Sequence, residues 1–182
     1  MERLRIATAW FGGSAGCHMS FLDLDEFLIE LAGKVDIVYS PVMDVKEYPE
    51  GVDLCLVEGA ICNRDNLDLI RKVRRRTRVL VSFGDCAVTG NVPAMRNQLG
   101  QGNAENVLQC AYITNAHHNR RLPQAGGIVP ELLEKVRPVH EMVRVDAFLP
   151  GCPPSAGRIR ELLERALSGL PLLLEGEQLK FG

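Results

Sequence analysis

Cys17, Cys86 and Cys152 each follow an apolar, β-branched run and sit in turns that read GGSAGCH, FGDCAVTG and LPGCPPS. Thiolate is the soft ligand of iron–sulfur clusters and of zinc. Open parallel sheets bind ligands in the crevice outside the carboxyl ends of their strands. Three thiols at three strand ends therefore meet at one point if those strands are parallel neighbours. Gly84 and Gly90 flank Cys86, where a bare backbone lets N–H groups approach cluster sulfurs and so help set a reduction potential; Gly16 and Gly151 stand beside Cys17 and Cys152 as further cofactor-binding candidates. The segment Gly151-Cys152-Pro153-Pro154 is stiff and fixes the direction of its thiol. Any one cysteine taken alone also reads as a small core residue.

The other cysteines carry less. Cys55, in DLCLVEG, and Cys110, in VLQCAYI, read as buried core residues. Cys62 follows a strand end in VEGAICN and is ambiguous. Glu58, in the same motif, can accept a proton or hydrogen-bond a neighbouring backbone at the crevice, or merely cap a turn. His18 follows Cys17 and either hydrogen-bonds near the centre or is a surface imidazole. His117 and His118 lie in a polar loop and read as surface or interface residues. No residue has the setting of a catalytic acid, base or nucleophile.

An alternation of strands and helices must position these groups. Leu4 to Trp10 reads as a strand, followed by a helix from Met19 to Ala32 on apolar spacing, with Gly33 as its C-cap. Strands are expected at Val35 to Tyr39, Leu54 to Val57, Val79 to Phe83 and Val143 to Leu149. Asn63 is placed to cap a helix running to Arg76, and Ser155 to cap one through Leu167. Pro130 is expected to open a short helix through Leu133 and Val136. The stretch from Gly84 to Gly127 has no clear elements, and the tail reads as a hairpin near Gly176. Strands alternating with helices imply βαβ units. The expected fold is α/β: a flavodoxin-like open parallel sheet with helices on both faces, one domain over residues 1–182.

Composition bounds the function. The 182 residues are 46% apolar and 24% charged, with a net charge of −2. That suits an ordinary globular domain and argues against a nucleic-acid partner, which favours a basic face. The basic run from Arg71 to Arg78 reads as the solvated face of a helix. No apolar run approaches the ~20 residues of a membrane span. The N-terminus runs straight into a strand without a secretory signal, so six cysteines read as thiols or metal ligands in a cytoplasmic protein.

The motifs AGCHMS, VEGAICN, GDCAVTGNVP and LPGCPPS together resemble the small, electron-transferring subunit of [NiFe] hydrogenases, in the short form of NAD-reducing enzymes. The resemblance runs from the first strand through Ser155. It implies a flavodoxin-like domain holding a proximal [4Fe–4S] cluster that faces the nickel–iron centre of a large subunit. Electrons would leave through iron–sulfur/flavin diaphorase subunits. It implies Cys17, Cys86 and Cys152 as ligands. The family's first cysteine falls on Ser14, so three outcomes stand open: Ser14 ligates as an alkoxide, an external ligand fills the corner, or the cluster is a three-iron species. Cys62 is a further substitute. Gly13 and Ala15 stand where many members carry residues of a proton route. Rival readings are the cluster-bearing subunit of respiratory complex I, an FMN module using GGSAG as a phosphate loop, and a zinc-bound domain.

Overall fold

A computed structural model describes residues 3–176. Among these residues seven strands and eight α-helices follow in order: β1 (Leu4–Trp10), α1 (Gly16–Leu22), α2 (Phe27–Lys34), β2 (Val35–Tyr39), β3 (Val52–Glu58), β4 (Ile61–Asn63), α3 (Arg64–Arg76), β5 (Thr77–Phe83), α4 (Asp85–Thr89), α5 (Asn91–Ala94), α6 (Asn103–Gln109), β6 (Leu132–Arg137), α7 (Val139–Met142), β7 (Ala147–Leu149) and α8 (Ala156–Leu167). A 3-10 turn (Met95–Leu99) and a π turn (Cys110–Thr114) flank α6.

Five strands form one parallel sheet in the order β2-β1-β3-β5-β7. Counted within that sheet alone, this is the flavodoxin order 2-1-3-4-5, whose direction reverses between β1 and β3. The strands are buried on both faces, so their residues are apolar on both. Ile6, Leu54, Leu56, Val81 and Phe83 pack against Phe21, Phe27 and Leu31, and against Ile159, Leu162 and Leu163 of α8. Ala7, Ala9, Cys55, Val57 and Leu80 pack on the opposite face against Leu67, Ile70 and Val73 of α3. Each such large side chain contributes about 1.5–3 kcal/mol when fully buried.

Local chemistry explains where the elements depart from expectation. The expected helix from Met19 to Ala32 is two helices, broken where Asp25 takes a positive φ of 47°. Gly33 is not a C-cap: it lies inside α2, which leads straight into β2. There the Arg3 guanidinium bonds the carbonyls of Ala32 and Val35, meeting the helix end without a glycine turn. Pro130 does not open a helix. Residues 132–137 form β6, which pairs antiparallel with β4 in a second, two-stranded sheet. The expected strand from Val143 is confined to Ala147–Leu149, because Val139–Met142 is helical and Asp146 turns in to accept the Leu80 amide at 2.8 Å.

Other expectations hold. Asn63 caps α3 by accepting the Asn66 amide at 2.8 Å. Ser155 takes the N-cap position of α8 but not the expected capping role, since its side chain makes no cap bond. The basic run lies on α3 and the start of β5, where Lys72, Arg76 and Arg78 pair with Glu47, Glu50 and Asp53. The expected hairpin near Gly176 reaches past residue 176, outside the described residues. Among the described residues no helix is long and apolar enough to cross a membrane.

Candidate metal centre

Cys17, Cys86 and Cys152 stand just past the carboxyl ends of β1, β5 and β7, and Glu58 ends β3 between them. All four share one edge of the sheet. Cys17 is buried at 7% exposure, Cys86 is half-buried and Cys152 is exposed. Burial pushes the Cys17 thiol far above the ordinary thiol range, and every charge acting on it adds to the push: Glu58, Cys86, Cys152 and Asp85. Burial also raises Cys86, followed by Cys152, Glu58 and Asp85, while the Val92 backbone N–H opposes the rise. Cys17 and Cys86 therefore each feel the other and Cys152.

Gly84 makes the approach possible. A Cβ there would lie 2.2 Å from Cys17 Sγ, so only glycine leaves the sulfur its place. The two turns beside it are tied reciprocally: Asp85 N–H donates to Gly151 O at 2.9 Å, and Gly151 N–H donates to Asp85 Oδ1 at 2.6 Å. Gly151 has φ 138°, and a Cβ would meet Pro154 Cα at 2.6 Å. Ser20 Oγ donates to Pro154 O at 2.6 Å, tying α1 to the Cys152 turn.

Glu58 is 2% exposed and accepts two amides at the start of α1: Cys17 N at 3.3 Å and His18 N at 2.9 Å. His18 Nδ1 bonds the same carboxylate. His18 is thus held near the centre and is not a surface imidazole. The Cys17 and His18 amides at this helix start are thus taken up by a carboxylate rather than open to an anionic ligand.

Ser14 is exposed, and its Oγ accepts the Gly16 amide at 3.3 Å. Cys62 lies to one side; burial raises its thiol, Arg96 lowers it and Cys86 raises it. Its sulfur fills the space over Gly12, where a Cβ would lie 2.1 Å away. Cys55 is fully buried, its thiol pushed up to about 12 by burial. Cys110 is exposed, not the core residue expected, because it begins the π turn on the outer side of α6. His117 and His118 are exposed.

The donor set fits an iron–sulfur centre. Among the described residues no three His, Cys, Asp or Glu side chains close on a single metal ion; the three thiols share one sheet edge without meeting at one point. A centre bearing positive metal charge would favour the thiolate forms that burial and the neighbouring charges disfavour at Cys17 and Cys86, since coordination deprotonates a thiol outright.

The sequence pattern of the family described as "NADH ubiquinone oxidoreductase, 20 Kd subunit" matches residues 15–166. The delta subunit of the NAD-reducing hydrogenase HoxS of Cupriavidus necator is 36% identical over 175 residues, 93% of this chain and 81% of that protein. A crystal structure of an NAD+-reducing [NiFe]-hydrogenase in the H2-reduced state superposes with a TM-score of 0.92 at 40% identity, covering all of both chains. The chain belongs to this family, as a small subunit of the NAD-reducing [NiFe] hydrogenase type. One subunit of the F420-non-reducing hydrogenase vhu of Methanocaldococcus jannaschii is also 36% identical, over 86% of this chain but only 54% of that protein's length. The [NiFeSe]-hydrogenase of Dm. baculatum, at 17% identity and a TM-score of 0.63, shares the fold.

Two polar residues beside the cysteine turns of this small subunit carry little signal in the sequence. Asp85 pins the Cys152 turn, and Asn91 donates from Nδ2 to Cys152 Sγ at 3.5 Å. Both stand within a few residues of Cys86 between Gly84 and Val92, and a polar residue set among turn glycines is their only mark.

Proposed function

We propose that this small subunit is the electron relay of a soluble NAD-reducing hydrogenase, in which H2 + NAD+ gives NADH + H+. The convergence of Cys17, Cys86 and Cys152 at one sheet edge carries the reading. These three cysteines, with Ser14 at the fourth corner, would hold one proximal cluster of [4Fe–4S] type, modified or of [3Fe–4S] type if Ser14 does not ligate. When bound, such a cluster supplies one-electron transfer between the nickel–iron centre of a large subunit and the flavin of diaphorase subunits.

The chain's own residues prepare that place. Gly84 leaves room for the Cys17 sulfur, and the Asp85–Gly151 pair holds the Cys86 and Cys152 turns in register. Glu58 fixes the backbone of Cys17 by accepting its amide, so the sulfur has little freedom to lose on ligation. Gly16 N–H is engaged by Ser14 Oγ, which keeps the serine over the same turn. The described residues, 3–176, act as one flavodoxin-like domain in this role; the ends of the expected 1–182 domain lie outside them.

The test is made in the assembled hydrogenase. Cys86→Ala and Cys152→Ala should abolish H2-dependent NAD reduction and leave dye-linked NADH oxidation intact. Retained H2-dependent NAD reduction in both variants would refute the relay.

A further inference from the structure

Asn91 holds an unusual backbone. Its φ is +35°, in the left-handed region that asparagine tolerates best after glycine. Its N–H donates to Thr89 Oγ1 at 3.3 Å, and the Thr89 hydroxyl donates to Asp85 O at 2.9 Å. The turn so fixed aims the Asn91 side chain across to another strand end, with Nδ2 3.5 Å from Cys152 Sγ. Asp85, in the same turn, holds the Cys152 backbone from below through Gly151 N–H. One short segment thus supplies a donor to the Cys152 sulfur and a clamp for its backbone.

Hydrogen bonds to ionised acceptors are stronger than neutral ones, and those to cluster sulfurs set reduction potential. A donor facing a thiolate stabilises the reduced centre more than the oxidised one, because reduction adds negative charge. We propose that Asn91 is a positioning residue that fixes the Cys152 sulfur and raises the reduction potential of the centre it helps to hold. This rests on the cluster reading above and adds to it a residue outside the ligand set.

Two variants in the intact hydrogenase complex test it. Asn91→Gly keeps the left-handed backbone and deletes the donor. Asn91→Asp keeps the shape and replaces the donor with a carboxylate. Iron and sulfide content and redox-poised EPR are the readouts. The midpoint potential should fall in both variants while iron content is retained. In Asn91→Gly the reduced-to-oxidised ratio at a fixed poise should fall by up to about tenfold, or 59 mV for a one-electron couple. An unchanged potential in Asn91→Gly overturns the proposal; if that variant does not assemble, Asn91→Asp decides on the same criterion. Loss of iron or of assembly in both variants also overturns it, leaving Asn91 a turn residue only. A wild-type complex with no iron–sulfur signal is a different failure, since it removes the cluster reading and this inference with it.

Discussion

Gly84 has no room for a side chain, because the Cys17 sulfur already occupies the place of its Cβ. Gly84→Ala should therefore displace Cys17 and cost the complex most of its small-subunit iron, measured against a Cys55→Ala control. Cys55→Ala removes a small buried group and should cost only about 1 kcal/mol with iron retained. Cys110→Ala should be silent, since Cys110 is exposed and its sulfur accepts only a peripheral bond from Asn115 Nδ2 at 3.3 Å. Ser14 offers a second test. Oxygen matches iron–sulfur chemistry less well than sulfur. If Ser14 occupies a corner, Ser14→Cys should shift the reduced EPR signal and slow cluster loss in air. If it only holds the Gly16 amide, spectrum and lifetime will not change. At this scale much is legible in the sequence: the turns place Cys17, Cys86 and Cys152 at strand ends, while VEGAICN leaves the role of Glu58 open. The exposure of Cys110 is not, because apolar neighbours in sequence do not tell the inner from the outer side of a short helix.

Among the elements, β3 and β5 are secured at their entry by a buried pair, Tyr48 Oη and Thr77 Oγ1 at 2.7 Å. Tyr48 is 1% exposed. Tyr48→Phe leaves the Thr77 hydroxyl without this partner and should destabilise the chain by about 1–3 kcal/mol. Equilibrium denaturation of the complex checks this, and an unchanged midpoint would count against the pair. The parallel strands are readable because burial on both faces makes them near-continuous apolar runs. The second sheet is not. LLEKVR after Pro130 suits a helix locally, yet its partner β4 lies about seventy residues earlier, and only tertiary pairing makes it a strand. The segment from Gly84 to Gly127 is opaque for a similar reason. Arg96 organises it by bonding the carbonyls of Cys62, Leu133 and Glu134, contacts remote in sequence.

For the whole molecule, the cysteine edge is partly open at Cys152. Cys152 is exposed, and Val92 and Met95, each 64% exposed, lie just beyond the Asn91 turn. A large subunit seated there would cover both the apolar side chains and the sulfurs. The chain expressed alone should be iron-poor and aggregate, whereas co-expression with the large subunit should restore solubility and iron. A stable, iron-replete monomer would contradict that docking. If Cys17, Cys86 and Cys152 hold a cluster, EPR of the H2-reduced complex shows it most directly. Wild type should give a reduced iron–sulfur signal that Cys86→Ala and Cys152→Ala both lose, with the other subunits' signals retained. A spectrum identical in wild type and both variants would contradict it.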